Sequence, residues 1–224
     1  MLKHSYIHIP KTGGTAIKYA LLAEGASSKI PISIAAAGHN QRLSGMNENT
    51  CFVIRDPWQR FCSGFWERVT VNDRKAKSKS EYSDLRDFGY RDLDPVELQI
   101  LSECKTPNEF VSYIRDGKPI LRHQPGLFEL TGSITYWLGN LEDYKKHEHK
   151  ISLVFDLGSM NKIMKEIYDI DIPQDPFQQR SRKLFDLEQS YDISPENLSW
   201  FMNKYRHRDY ELIDYIKGRE YFLS

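Results

Sequence analysis

The sequence predicts an α/β fold, a mainly parallel β-sheet flanked by helices, formed by a single domain over residues 1–224. Three observations carry that expectation. Residues 6–9 and 50–54 are short β-patterned runs that each stop at a sharp break and lead straight into a helical pattern. The second run is apolar and β-rich, as a strand buried on both faces of a parallel sheet requires. Residues 151–155 alternate as a further strand and again run on into a helical pattern. At 224 residues and 40% hydrophobic, the chain can bury one sizeable core, and no repeat or low-complexity tract marks a second domain.

Taken in order, the first strand ends at Pro10 and opens onto Lys11-Thr12-Gly13-Gly14-Thr15. Glycines without Cβ let the backbone close around an anion. A helix predicted from Gly14 to about Glu24, ended near Gly25, aims its unpaired amides at the same point, and Lys11 adds a full charge. The order is not that of the common triphosphate loop, G-x-x-x-x-G-K-[ST], in which the lysine follows the second glycine; here it precedes both. Residues 30–36 read as a second strand, with Gly38-His39-Asn40 just beyond it.

The third strand ends at Arg55-Asp56-Pro57. Asp56 suits a helix N-cap and Pro57 the first helical position, after which Trp58, Phe61, Cys62, Phe65, Trp66 and Val69 fall on one face as a core stripe. Arg55 at the carboxyl end of the strand and Ser63 just off the stripe could both reach a ligand above the sheet edge. An arginine suits a phosphate there because its planar fork gives two parallel charge-assisted hydrogen bonds. Arg60 is out of phase with the stripe, has Asp56 four residues earlier as a partner, and reads as structural.

Beyond Val71 a polar stretch reaches Leu93, with Arg74, Lys75, Lys77 and Lys79 close together; it reads either as a solvated loop or as a lid that meets an anionic acceptor. Asp94-Pro95 opens a helix, and Thr106-Pro107-Asn108-Glu109 is a capping box opening another that ends by Gly117. After the strand at 151–155, Asp156-Leu157 leads into a helix carrying Met160, Ile163, Met164 and Ile167. Ser194-Pro195 caps one long helix with Leu198, Phe201, Met202, Tyr205, Leu212 and Ile216 on its apolar side.

A net charge of zero argues against a general binder of nucleic acid or of membrane surfaces, so an anion site must be a local concentration of charge. The three cysteines are an odd number and show no zinc-type spacing, which predicts a reducing compartment and no disulfide framework. About five residues precede the first strand, and no run approaches the roughly eighteen apolar residues that cross a bilayer. A soluble, cytoplasmic protein without a metal is the expectation.

The run His8-Ile9-Pro10-Lys11-Thr12-Gly13-Gly14-Thr15 resembles the 5′-phosphosulfate loop of sulfotransferases that use 3′-phosphoadenosine 5′-phosphosulfate (PAPS). The pattern Arg-Asp-Pro-x-x-Arg-x-x-Ser, from Arg55 to Ser63, matches the 3′-phosphate motif of the same family, about forty residues further on. The chain is most similar to the carbohydrate sulfotransferase branch. The resemblance implies a nucleotide-kinase-like fold and PAPS as co-substrate, with a hydroxyl on a carbohydrate or small metabolite as acceptor. It assigns Lys11 to the oxygen that leaves with the phosphate, and Thr12, Gly13, Gly14 and Thr15 to the 5′-phosphate through their backbone amides and the two threonine hydroxyls. It assigns Arg55 and Ser63 to the 3′-phosphate, with Arg182, in the basic turn Arg180-Ser181-Arg182, closing over the nucleotide.

For the base that deprotonates the acceptor, His39 is the first candidate because it follows the second strand on the edge where the other site residues emerge; Glu67 and then His123 are the alternatives. His8, inside the first strand segment, reads as packing or positioning. Weaker landmarks also resemble the family: the turn at Asp156-Leu157, and Tyr205-Arg206-His207-Arg208-Asp209-Tyr210 as a closing Tyr-x-x-Asp element. The letters of Leu121-Arg122-His123-Gln124-Pro125 are scrambled relative to a His-x-Pro-Gln element. An ATP-dependent phosphotransferase with a diverged loop, and a nucleotide-binding protein without turnover, are the competing readings.

Overall fold

Thr50–Ile54 is buried at every position and has a parallel strand on each side, which is why it lacks the polar alternation of a half-exposed strand. The computed structural model describes residues 4–14, 16–17, 32–34, 41–77, 95–118, 132–172 and 191–224. Its strands are His4–Ile7 (β1), Ile32–Ile34 (β2), Thr50–Ile54 (β3), Ile151–Asp156 (β4) and Phe222–Leu223 (β5), in the order β2-β1-β3-β4-β5. All adjacent pairs are parallel; the first four strands form the body of the sheet, and β5 adds a two-residue edge. The α/β class and the parallel sheet agree with the sequence expectation.

The alternation of side chains along the strands covers both faces. Tyr6, Cys51, Val53, Leu153 and Phe155 join Ala16, Ile17, Met160, Ile163, Met164 and Ile170 in one buried cluster. Ile7, Phe52, Ile54 and Val154, one residue out of phase, point to the opposite face and are equally buried. The helix Met160–Tyr168 follows β4 as expected, preceded by a tight turn in which the Asp156 side chain accepts from the Gly158 amide at 2.8 Å.

The chain divides into two compact units: residues 1–57, 133–176 and 206–224, which contain the sheet, and residues 58–132 and 177–205. In the second unit every described element is helical. The expected aromatic stripe is its core: Phe61 stacks on Phe110 with centroids 5.5 Å apart and meets Phe201 edge-on at 5.2 Å. The capping box is formed as read, with Thr106 accepting from the Glu109 amide and Glu109 accepting from the Thr106 amide, both at 3.2 Å. The same helix ends before Gly117, whose φ of 75° favours glycine.

Three expectations need correction. The first is the phase of Arg60, which points away from the apolar stripe: the side chain is nonetheless buried and donates to the Gly132 carbonyl at 2.7 Å, a structural role as read. The second is the polar stretch after Val71, which opens as helix: Pro57–Lys77 continues through Arg74, Lys75 and Lys77. Arginine, lysine and alanine have high helix propensity and no proline or glycine interrupts them, so polarity alone was a poor loop signal. Residues 78–94 lie outside the described residues.

The third correction concerns the C-terminal helix, which is two helices. Ser194 caps Pro195–Trp200 as expected, but Phe201–Tyr205 widens into a π-turn, Arg206 leaves helical geometry (φ −125°, ψ 17°), and His207–Lys217 starts afresh. The apolar period runs on through the break, so it concealed it. Arg206 and Asp209 are buried beyond it, 3.6 Å apart, and Asp209 also accepts from the Ser133 hydroxyl. Asp209 lies in phase with Tyr205, Leu212 and Ile216 on the apolar side, where Arg206 and Ser133 satisfy its carboxylate.

Cys51, Cys62 and Cys104 are free and buried. Burial pushes the Cys51 thiol up to about 12 and, with Glu109 and Glu103 nearby, the Cys104 thiol up to about 11, so neither is a thiolate at neutral pH.

Glu148, just before β4, fastens the segment that leads into β5. It accepts from Arg219 Nε at 2.6 Å, Tyr221 at 2.8 Å and Tyr215 at 3.0 Å. The Arg219 bond above all, then those of the two tyrosines, holds its carboxyl down at about 2 against an ordinary 4.5. A depressed carboxylate stabilises the fold fully above its ordinary value and loses that contribution as pH falls toward the folded-state value. We therefore expect Glu148→Gln to weaken the protein at pH 7, and to make its urea midpoint less sensitive than the wild type's to acidification below pH 4.5. Equal pH slopes for the two proteins contradict this role.

Candidate functional site

The sheet order places a switch point between β1 and β3. From β1 the chain passes to β2 on one side, then crosses back so that β3, β4 and β5 build outward on the other. In parallel sheets a crevice opens at the carboxyl ends of the two strands flanking such a reversal, and ligands bind there. The Lys11-Thr12-Gly13-Gly14 loop leaves β1 and Arg55 leaves β3 at that edge.

Pairing of the strands sets their proximity. Ile7 lies opposite Phe52, so three residues further along each chain Pro10 comes level with Arg55. The contact is realised one residue on: Arg55 Nη1 donates to the Lys11 carbonyl at 3.3 Å. Lys11 has φ 67° and Gly13 φ 85°, while Thr12 between them is not left-handed. Such alternation turns successive N–H groups toward one concavity, a nest suited to an anion. A left-handed lysine costs roughly 1–2 kcal/mol. A hydrogen bond from a charged donor contributes roughly 1.5–3 kcal/mol, enough for the Arg55 contact to hold that conformation.

Gly13 is favoured by its positive φ, and both glycines sit where a Cβ would crowd neighbouring side chains. A Cβ at Gly13 would lie 2.7 Å from Leu157 Cδ1 and 2.8 Å from Met160 Sδ, and one at Gly14 would lie 2.1 Å from His8 Cδ2. His8 is therefore packed against the loop, as expected of a positioning residue. The Ile17 amide donates to the Gly13 carbonyl at 3.2 Å, so the helical turn opens at Gly14 and its first amides have no acceptor within the helix.

Thr12 departs from its expected role in one respect. It is fully buried and its hydroxyl donates to the Ile9 carbonyl at 2.8 Å, which braces the loop and leaves its backbone amide as its group for an anion.

Arg55 carries the plainest ligand signal. Its side chain is half-buried, and its Nε is buried with no hydrogen-bond partner among the described residues. A buried charged donor without an acceptor costs at least about 1–3 kcal/mol, and a phosphate oxygen would satisfy it. The cradle of Gly13 and Gly14 together with this donor fits an anionic group at the carboxyl edge of β1 and β3. Burial raises the Tyr6 hydroxyl and the Cys51 thiol, keeping both neutral.

Lys11, Thr12, Gly13, Gly14 and Arg55 thus come together in the sheet-containing unit. Ser63 and Glu67 lie half-buried on the Pro57–Lys77 helix, in the second unit. Thr15, His39, His123 and Arg182 lie outside the described residues. Sequence reading missed Leu157 and Met160 as the wall behind Gly13. The turn at Asp156-Leu157 was visible in the sequence, but which loop it supports depends on the strand order.

Among the described residues no group of three or more His, Cys, Asp or Glu side chains is placed to hold a metal ion, and no helix is long and apolar enough to cross a membrane. No protein-family model matches the chain, and no curated protein or solved structure matches it.

Proposed function

We propose that the chain is a PAPS-dependent sulfotransferase of nucleotide-kinase-like fold that transfers a sulfuryl group to a hydroxyl of a carbohydrate or small metabolite. The observation that carries this reading is the Arg55–Lys11 contact: two motifs 44 residues apart in sequence, each resembling one phosphate site of the same nucleotide, are neighbours at 3.3 Å. The 5′-phosphosulfate lies in the Lys11–Gly14 loop and the 3′-phosphate on Arg55, whose buried Nε gains the acceptor it lacks. PAPS supplies the activated sulfuryl group.

Lys11 neutralises the charge that grows on the departing phosphate oxygen, and the loop amides hold the phosphate in line. A base takes the proton of the acceptor hydroxyl. His39 is the first choice, ahead of Glu67 and His123, since an imidazole titrates near neutrality. His39→Ala is expected to slow turnover by on the order of 10² to 10⁴ with nucleotide affinity nearly unchanged. An unchanged rate moves the base elsewhere. Free, buried cysteines fit a reducing, cytoplasmic setting.

The direct test is incubation with sulfur-labelled PAPS and a broad library of hydroxyl acceptors. Label transferred to an acceptor supports the reading. PAPS bound without transfer to any acceptor favours a non-catalytic nucleotide-binding protein. Thermal protection by ATP but not by 3′-phosphoadenosine 5′-phosphate (PAP) favours a phosphotransferase.

A further inference from the structure

We infer that Arg55 is a positioning residue for the Lys11 loop as well as a ligand for a phosphate, so that the loop's grip on a 5′-phosphosulfate depends on Arg55 even when the ligand carries no 3′-phosphate. The inference rests on the nucleotide reading above and adds a linkage between its two ends. Lys11 is one of three non-glycine residues with positive φ among the described residues, and its carbonyl accepts from Arg55 Nη1 at 3.3 Å. That carbonyl belongs to the peptide whose N–H is Thr12's, the first amide of the nest. The bond therefore sets the orientation of the Thr12 amide toward the anion. Thr12 fixes the other side of the same turn through its own bond to Ile9 at 2.8 Å. The guanidinium has a division of labour: Nη1 is committed to the loop, while Nε is buried without a partner among the described residues and is left for the ligand.

A simple phosphate-binding arginine and a positioning arginine differ in a ligand that has only one of the two groups. Adenosine 5′-phosphosulfate lacks the 3′-phosphate; PAP has it. Isothermal titration of both into wild type, Arg55→Ala and Arg55→Lys separates the cases. Positioning predicts that Arg55→Ala weakens adenosine 5′-phosphosulfate about tenfold, the effect of one lost charged hydrogen bond, and weakens PAP further still. Arg55→Lys keeps the charge but not the planar fork that reaches two acceptors at once, so affinity for adenosine 5′-phosphosulfate stays low. Should Arg55→Ala fail to fold, Arg55→Lys alone decides: a loss supports positioning and wild-type affinity overturns it. Arg55 variants that lose only the 3′-phosphorylated ligand overturn the inference and leave the nucleotide reading intact. A wild-type protein that binds neither ligand removes both.

Discussion

Lys11→Ala is expected to lower sulfuryl transfer by on the order of 10² to 10³, with a much smaller loss of nucleotide affinity. The backbone of the lysine lies in the loop beyond the end of β1, braced by Arg55 through its carbonyl, and the proposed function assigns its ammonium to the departing phosphate oxygen. A group that meets charge only as it grows affects the rate more than the ground-state complex. Alanine keeps the Cβ that makes φ 67° costly for lysine, so Lys11→Ala removes the ammonium without adding backbone strain. Lys11→Gly removes the cation while relieving the backbone, and the same loss in both variants assigns the effect to charge. Recovery of the rate in Lys11→Gly contradicts the assignment. Steady-state kinetics with PAPS and an acceptor identified by labelling provides the measurement.

Gly14→Ala should reduce PAP affinity by at least about fivefold, through crowding alone. The added methyl would meet the His8 ring at 2.1 and 2.3 Å, and it cannot be accommodated unless the imidazole moves. Overpacking of this kind costs about 1–3 kcal/mol, and here the strain falls on the loop that holds the phosphate. Because the obstacle is one side chain, the double variant His8→Ala/Gly14→Ala should bind PAP better than Gly14→Ala does. If His8→Ala gives no recovery, the glycine acts through something other than the space beside the ring. Calorimetric titration of the three variants decides the matter.

Local chemistry made much of this legible from sequence. Strand-to-helix junctions at residues 10–14 and 54–57, the Thr106 capping box and the aromatic stripe from Trp58 to Trp66 follow from rules that act over one or two turns of chain, and all are present in the structure. Contacts over long separations were not legible. The burial of Arg60 was not legible because helical phase says nothing about a carbonyl 72 residues away at Gly132. The break at Arg206 was hidden because the apolar period is nearly the same on both sides, and the bond of Ser133 to Asp209 beyond it spans 76 residues. Within the site, the sequence showed two anion-binding motifs but not that one supports the other. Only the parallel pairing of β1 with β3 brings Arg55 to the Lys11 carbonyl. Thr12, by contrast, is a brace of local origin: its hydroxyl is turned inward onto the carbonyl of Ile9, three residues earlier.

The crystal structure of the protein with PAP tests the central claim most directly. The 5′-phosphate is expected in the nest of Lys11, Thr12, Gly13 and Gly14, and the 3′-phosphate accepting from Arg55 Nε. PAP bound with either phosphate away from its group, or no PAP at the β1–β3 edge at all, contradicts it.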